Sequence, residues 1–61
     1  MPYVNIRVAG KLTRKQKDKI VKGVTKVISK EAKKPAGSIL IFIDEVLQQN
    51  IGSGGKLLDE K

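Results

Sequence analysis

The sequence has no cysteine, no histidine and no tryptophan, and its only aromatic residues are Tyr3 and Phe42. Each absence closes off a class of chemistry. Without cysteine there is no disulfide framework and no thiolate metal site. Without histidine, zinc and haem lose their commonest ligands. Chemistry that depends on cysteine, histidine or tryptophan is therefore not expected. The longest apolar run covers residues 39–43, far short of the ~20 residues that a membrane-spanning helix needs. The opening residues, Met1-Pro2-Tyr3-Val4-Asn5, show no charged stretch leading into an apolar one. No secretory leader is expected, and the reading is a soluble cytoplasmic protein.

What is present is short and basic. The chain has 61 residues, with 13 Lys plus Arg against 6 Asp plus Glu, a formal net charge of +7. That length predicts a single domain over residues 1–61. A chain of this size buries only roughly 60% of its unfolded surface and is marginal alone. Small scaffolds compensate with disulfides, a metal or assembly. Composition removes the first two, so assembly is predicted. The charge also fits the electrostatic footprint of a nucleic-acid or anion-binding module. However, no aromatic pair stands on the first strand to stack bases, and neither a helix-turn-helix nor a zinc spacing is present. Nucleic acid is not the expected partner, and a basic binding module remains the competing class.

Residues 3–9 alternate, with Val4, Ile6 and Val8 on one face and Tyr3, Asn5 and Arg7 on the other. Period two with β-branched residues predicts a strand. Gly10-Lys11-Leu12 breaks it. Thr13-Arg14-Lys15-Gln16 is a capping-box pattern. Ile20, Val21, Val24, Val27, Ile28 and Ala32 then form one helical stripe, opposite Lys15, Lys19, Lys22, Lys26 and Lys30. The predicted helix covers 14–33, stopped by Pro35. Residues 35–38 form a turn. Residues 39–46 make a second strand, apolar on both faces and so suited to burial on both sides. Strand, helix, strand predicts a β-α-β unit with parallel strands and a right-handed crossover. One helix covers one sheet face. The other face of a two-stranded sheet has nothing in the chain to cover it, which again predicts a second copy. Gly52-Ser53-Gly54-Gly55, between Ile51 and Leu57-Leu58, predicts a short C-terminal hairpin.

Side-chain chemistry is sparse. Asp44 and Glu45 are adjacent on a strand and point to opposite faces, so they are no paired-acid site. Pro2 is the unusual candidate. Initiator methionine is generally trimmed when a small residue follows, and trimming here leaves a free secondary amine. An α-amino group ordinarily titrates near ~7.7–8.0. The amine of proline is intrinsically more basic, and apolar burial or nearby cations lower it. A neutral amine near pH 7 is a competent general base.

Taken together, Met1-Pro2-Tyr3-Val4, Gly10-Lys11, Thr13 with Gln16-Lys17, Pro35, Ser38 ahead of an apolar strand ending Asp44-Glu45-Val46, and Gly52-Ser53-Gly54-Gly55-Lys56-Leu57 resemble the 4-oxalocrotonate tautomerase family. The resemblance spans nearly the whole chain and includes its length. It implies an α/β (α+β) tautomerase-like fold, β-α-β with a C-terminal hairpin. It implies dimers that extend the sheet and assemble as hexamers, a trimer of dimers. It further implies a cofactor-independent isomerase in which the amino-terminal proline, here Pro2, moves a proton between enol and keto forms of a 2-oxo acid.

The chain departs from the family pattern at three substrate-binding positions. The family's arginine after a glycine, just ahead of the helix, is matched most nearly by Lys11; an ungapped count from the proline puts Leu12 there. The arginine early in the second strand is Leu40. The aromatic residue that walls the pocket is Ile51. Ser38, in the turn before the second strand, is a further substrate-binding candidate. An arginine fork binds a carboxylate bidentately, whereas lysine offers a point charge and leucine offers none. The substitutions predict inefficient turnover of a doubly charged substrate and a better fit for a monoacid with an apolar group. They also keep open a tautomerase-fold oligomer with little activity.

Overall fold

The computed structural model describes residues 1–60. Its elements run β1 (Tyr3–Ala9), α1 (Arg14–Ala32), β2 (Leu40–Val46), β3 (Gly52–Ser53) and β4 (Lys56–Leu57). β1 and β2 pair in parallel along their whole length, from Tyr3 opposite Leu40 to Ala9 opposite Val46. β3 and β4 form the antiparallel C-terminal hairpin. The mixed α/β fold and its hairpin are those expected from the periodicities.

The sheet has one covered face. Val4, Ile6 and Val8 pair with Ile41, Ile43 and Glu45. Glu45 reaches both Lys17 of α1 and the Leu12 backbone, which identifies this as the helix side. The five aliphatic residues on it are half-buried. The outer face carries Tyr3, Asn5, Arg7, Leu40, Phe42 and Asp44. There the Tyr3 and Phe42 rings meet edge to face at 6.3 Å. Asp44 accepts a hydrogen bond from the Asn5 amide at 3.1 Å and pairs with Arg7 at 3.5 Å. Tyr3, Leu40 and Phe42 remain 70%, 42% and 51% exposed. The apolar outer half of β2, expected to find no cover within the chain, lies open. Among the described residues only Ile39 is buried.

α1 starts on the expected capping box. The Gln16 backbone N–H donates to the Thr13 hydroxyl and the Thr13 N–H donates to the Gln16 side chain. Its end differs from the sequence expectation: Lys33 is not helical but caps the helix in the left-handed region, at φ 55°. The cap holds because the Lys33 and Lys34 N–H groups both reach the Ser29 carbonyl, and the Ser29 hydroxyl donates back to the Lys34 carbonyl. β2 likewise begins at Leu40 rather than Ile39. Residues 36–38 make a 3₁₀ turn, and the Ile39 N–H is used to close it on the Ala36 carbonyl. Gly54 and Gly55 take φ of +61° and +87° in the hairpin turn. Two successive positive values define a type I′ turn, which non-glycine residues rarely sustain.

Gly23 sits mid-helix, where glycine costs about 1 kcal/mol relative to alanine. A Cβ there would meet nothing within 4 Å, so packing within the chain does not require the glycine. Its neighbours on that flank, Ile20 and Val27, are half-buried and 58% exposed. No helix of the described residues is long and apolar enough to cross a membrane.

Candidate active site

The parallel register sorts the candidate residues to two ends of the sheet. Pro2 and Ser38 stand where both strands begin. The Pro2 carbonyl accepts the Leu40 N–H at 3.0 Å, and continuing the register by one pair sets Pro2 opposite Ile39. Pro2 is half-buried beside Ile39, the one buried residue among those described. Met1, ahead of it, is 73% exposed. Alternation puts the Pro2 ring on the helix side and the Leu40 side chain on the outer face, so these two do not converge within one chain. The Ser38 hydroxyl donates to the Pro35 carbonyl at 2.8 Å, and the Ser38 N–H reaches the same oxygen. Its donors close the turn, which leaves its oxygen lone pairs as the free hydrogen-bonding capacity.

Lys11 and Ile51 stand at the other end, where the strands finish. Seven strand residues separate Pro2 from Gly10, roughly 25 Å at ~3.3 Å per residue. Ile51 lines an open concavity with Arg7, Val8, Val46, Asn50 and Leu58. Lys11 follows Gly10, whose φ of +108° turns the chain out of β1. The structure therefore gathers Pro2 and Ser38 at one end, Lys11 and Ile51 at the other, and no two of these across the sheet.

The matched family decides what this arrangement belongs to. The sequence model of the tautomerase family, described as tautomerase enzyme, matches residues 2–61. The chain belongs to the tautomerase family. It is 37% identical over 59 residues to a probable tautomerase of Helicobacter pylori, covering 92% of this chain and 87% of that protein. Among solved structures it resembles DmpI from Helicobacter pylori, with TM-score 0.82 and 33% identity over 93% of this chain and 90% of that one. It also resembles YwhB, a homologue of 4-oxalocrotonate tautomerase, with TM-score 0.89 and 28% identity over 98% and 100% of the two chains. Family and fold together support a tautomerase, an isomerase-type function, for this chain.

Sequence reasoning missed the partners of Glu45. One carboxylate oxygen accepts the Leu12 N–H at 2.9 Å, and the other pairs with the Lys17 ammonium. The signal was present: Lys17 precedes Ile20 and Val21 by three and four residues, which puts it on the sheet-facing stripe. The Lys17 contact, the Leu12 N–H and the charge of Lys11 hold the Glu45 carboxyl below its ordinary value of 4.5, against a smaller opposing effect of desolvation. A lowered folded-state value means that the clamp stabilises the fold above the ordinary carboxylate range. That stabilisation is lost as pH falls through the lowered value. Melting curves from pH 7 down to pH 3 should thus show a steeper loss of Tm for the wild type than for Glu45→Gln, which lacks this titration. Parallel loss in the two proteins would contradict the assignment.

Proposed function

We propose that this tautomerase moves a proton between the enol and keto forms of a 2-oxo acid, using the free amine of Pro2 as general base once Met1 is removed. The observation that carries the reading is the position of Pro2. It follows an exposed methionine, is half-buried, and stands just ahead of β1 with its carbonyl bonded to the Leu40 N–H. A partly desolvated amine is shifted toward its neutral, proton-accepting form. While Met1 stays in place the Pro2 nitrogen is an amide without a basic lone pair. An intact mass of the protein from its own cell, lacking one methionine, is the first requirement. No cofactor enters the reaction: the substrate carbonyl stabilises the carbanion as an enolate.

Substrate anchoring falls to Lys11, with Leu40 and Ile51 as apolar walls and Ser38 shaping the turn beside Pro2. Because these groups lie at opposite ends and on opposite faces of one chain, the working unit is a homo-oligomer in which other copies supply what one chain cannot. A hexamer built as a trimer of dimers meets that requirement. The open outer sheet face and the uncovered Gly23 flank of α1 give such contacts apolar surface.

Leu40 sets the preference between substrates. One missing oxyanion or carboxylate donor costs about 2.7–4 kcal/mol of transition-state stabilisation, roughly 10²–10³ in rate. Phenylenolpyruvate, a monoacid with an apolar ring, should be ketonised with a kcat/KM at least about tenfold above that of a dicarboxylic 2-hydroxydienoate. A faster diacid overturns the preference. Leu40 also favours one second reading, a tautomerase-fold oligomer with little activity. Ketonisation indistinguishable from the uncatalysed rate would select it.

A further inference from the structure

We propose that Glu45 is a positioning residue for substrate binding, which fixes the Lys11 loop to β2 while Lys17 keeps Glu45 from capturing the Lys11 ammonium. The proposal rests on the reading of Lys11 as the anion anchor and adds two residues which that reading does not contain.

The loop between β1 and α1 is tied at both sides of Lys11. Before it, the Gly10 N–H donates to the Val46 carbonyl at 2.8 Å. After it, the Leu12 N–H donates to Glu45 Oε2 at 2.9 Å. Both acceptors belong to consecutive residues of β2, the strand that also carries Leu40 at its far end. Lys11 itself lies between the two ties with its side chain exposed. Directly after Leu12 the capping box of Thr13 and Gln16 locks the entry to α1. The backbone on either side of Lys11 is thereby fixed, and the lysine stem starts from a defined point. Pre-fixing the backbone reduces the ordering cost of gripping an anion.

Charge gives Lys17 its part. Lys17 lies against Glu45, and Lys11 directly precedes the Leu12 N–H that Glu45 holds, so both cations favour its ionised form. Lys17 occupies Glu45 Oε1 directly. The three groups carry one surplus positive charge, and the contact with Lys17 leaves that surplus on Lys11. Without Lys17, Glu45 Oε1 loses this partner, and an ion pair with Lys11, next to Leu12 in the chain, would withdraw the anchor from substrate. The pair on the helix side of the sheet thus keeps Lys11 available.

The test uses full-length protein with its amino terminus processed as in the wild type. Amide hydrogen exchange at Leu12 is measured together with steady-state ketonisation of phenylenolpyruvate. Glu45→Ala should lose protection at Leu12 and raise KM about five- to tenfold with kcat within about twofold, the signature of an interaction made equally in ground and transition states. Glu45→Gln, which keeps an oxygen acceptor for the Leu12 N–H, should recover most of the protection. Lys17→Met should raise KM as Glu45→Ala does, while leaving the Leu12 amide protected. Lys11→Ala gives the reference KM. Unchanged exchange at Leu12 in Glu45→Ala overturns the proposal. So does a KM increase in Lys11→Ala that neither Glu45→Ala nor Lys17→Met shares, because the anchor then works without its clamp. If Lys11→Ala leaves KM at the wild-type value, the anchor reading itself fails, and the positioning role falls with it.

Discussion

Pro2→Ala should lower kcat for phenylenolpyruvate ketonisation by roughly 10²–10⁴, the range that a positioned general base contributes. The substitution is chosen because alanine is also small enough for Met1 to be trimmed, so both proteins present a free α-amine and differ in its kind. The secondary amine of proline is held in a ring continuous with a strand whose carbonyl is tied to Leu40. The primary amine of alanine keeps basicity but loses the ring that fixes its lone pair. A loss confined to kcat, with far-ultraviolet circular dichroism and sedimentation unchanged, assigns the effect to chemistry rather than to folding. Equal rates for the two proteins would remove Pro2 from the mechanism. A preparation that retains Met1, verified by mass, should be as inactive as the variant or more so, since an amide nitrogen accepts no proton at neutral pH.

Phe42→Glu should dissociate the proposed homo-oligomer and unfold the chain with it. Phe42 is 51% exposed in the single chain, flanked by Tyr3 and Leu40 on a face that none of the described residues covers. Fully burying such a side chain contributes about 1.5–3 kcal/mol per copy. Burying an unpaired carboxylate in its place costs several kcal/mol more. Because the described residues bury only Ile39, a dissociated subunit has little core to fall back on. Sedimentation should move from an oligomer to a monomer, and the helical circular dichroism signal should fall in parallel. For the wild type, Tm should rise with protein concentration, as mass action requires when only the assembled form is folded. A variant that sediments and melts like the wild type would mean that this face stays open to water.

Much of the architecture was legible because it rests on local rules. The alternation of residues 3–9, the Thr13–Gln16 capping box, the stripe from Ile20 to Ile28 and the paired glycines of the hairpin each specify an element without long-range information. The two misplaced boundaries have local causes of another kind. Lys33 takes a left-handed conformation that sequence preference assigns to glycine, and it does so because Ser29 supplies two hydrogen-bonding groups to the cap. Ile39 reads as a strand residue by composition, yet its N–H is consumed by a 3₁₀ turn. The candidate site was legible mainly as a set of residue types. Their spacing about the predicted strand set Pro2 and Lys11 at its opposite ends, but nothing in it said that Ser38 joins Pro2, or that Leu40 turns away from Pro2.

By itself the sequence determined the order and kind of the elements and the lack of any cysteine or histidine chemistry. Periodicity and composition act within a few residues or over the whole chain, and they suffice for those conclusions. The tertiary structure alone decided which residues meet. Parallel pairing brings Glu45 of β2 to Leu12 and Lys17, more than twenty-five residues away in the chain. It also divides the candidate site between the two ends of the sheet. Such encounters follow from strand register and helix crossover, which fix distances between residues that no local pattern connects.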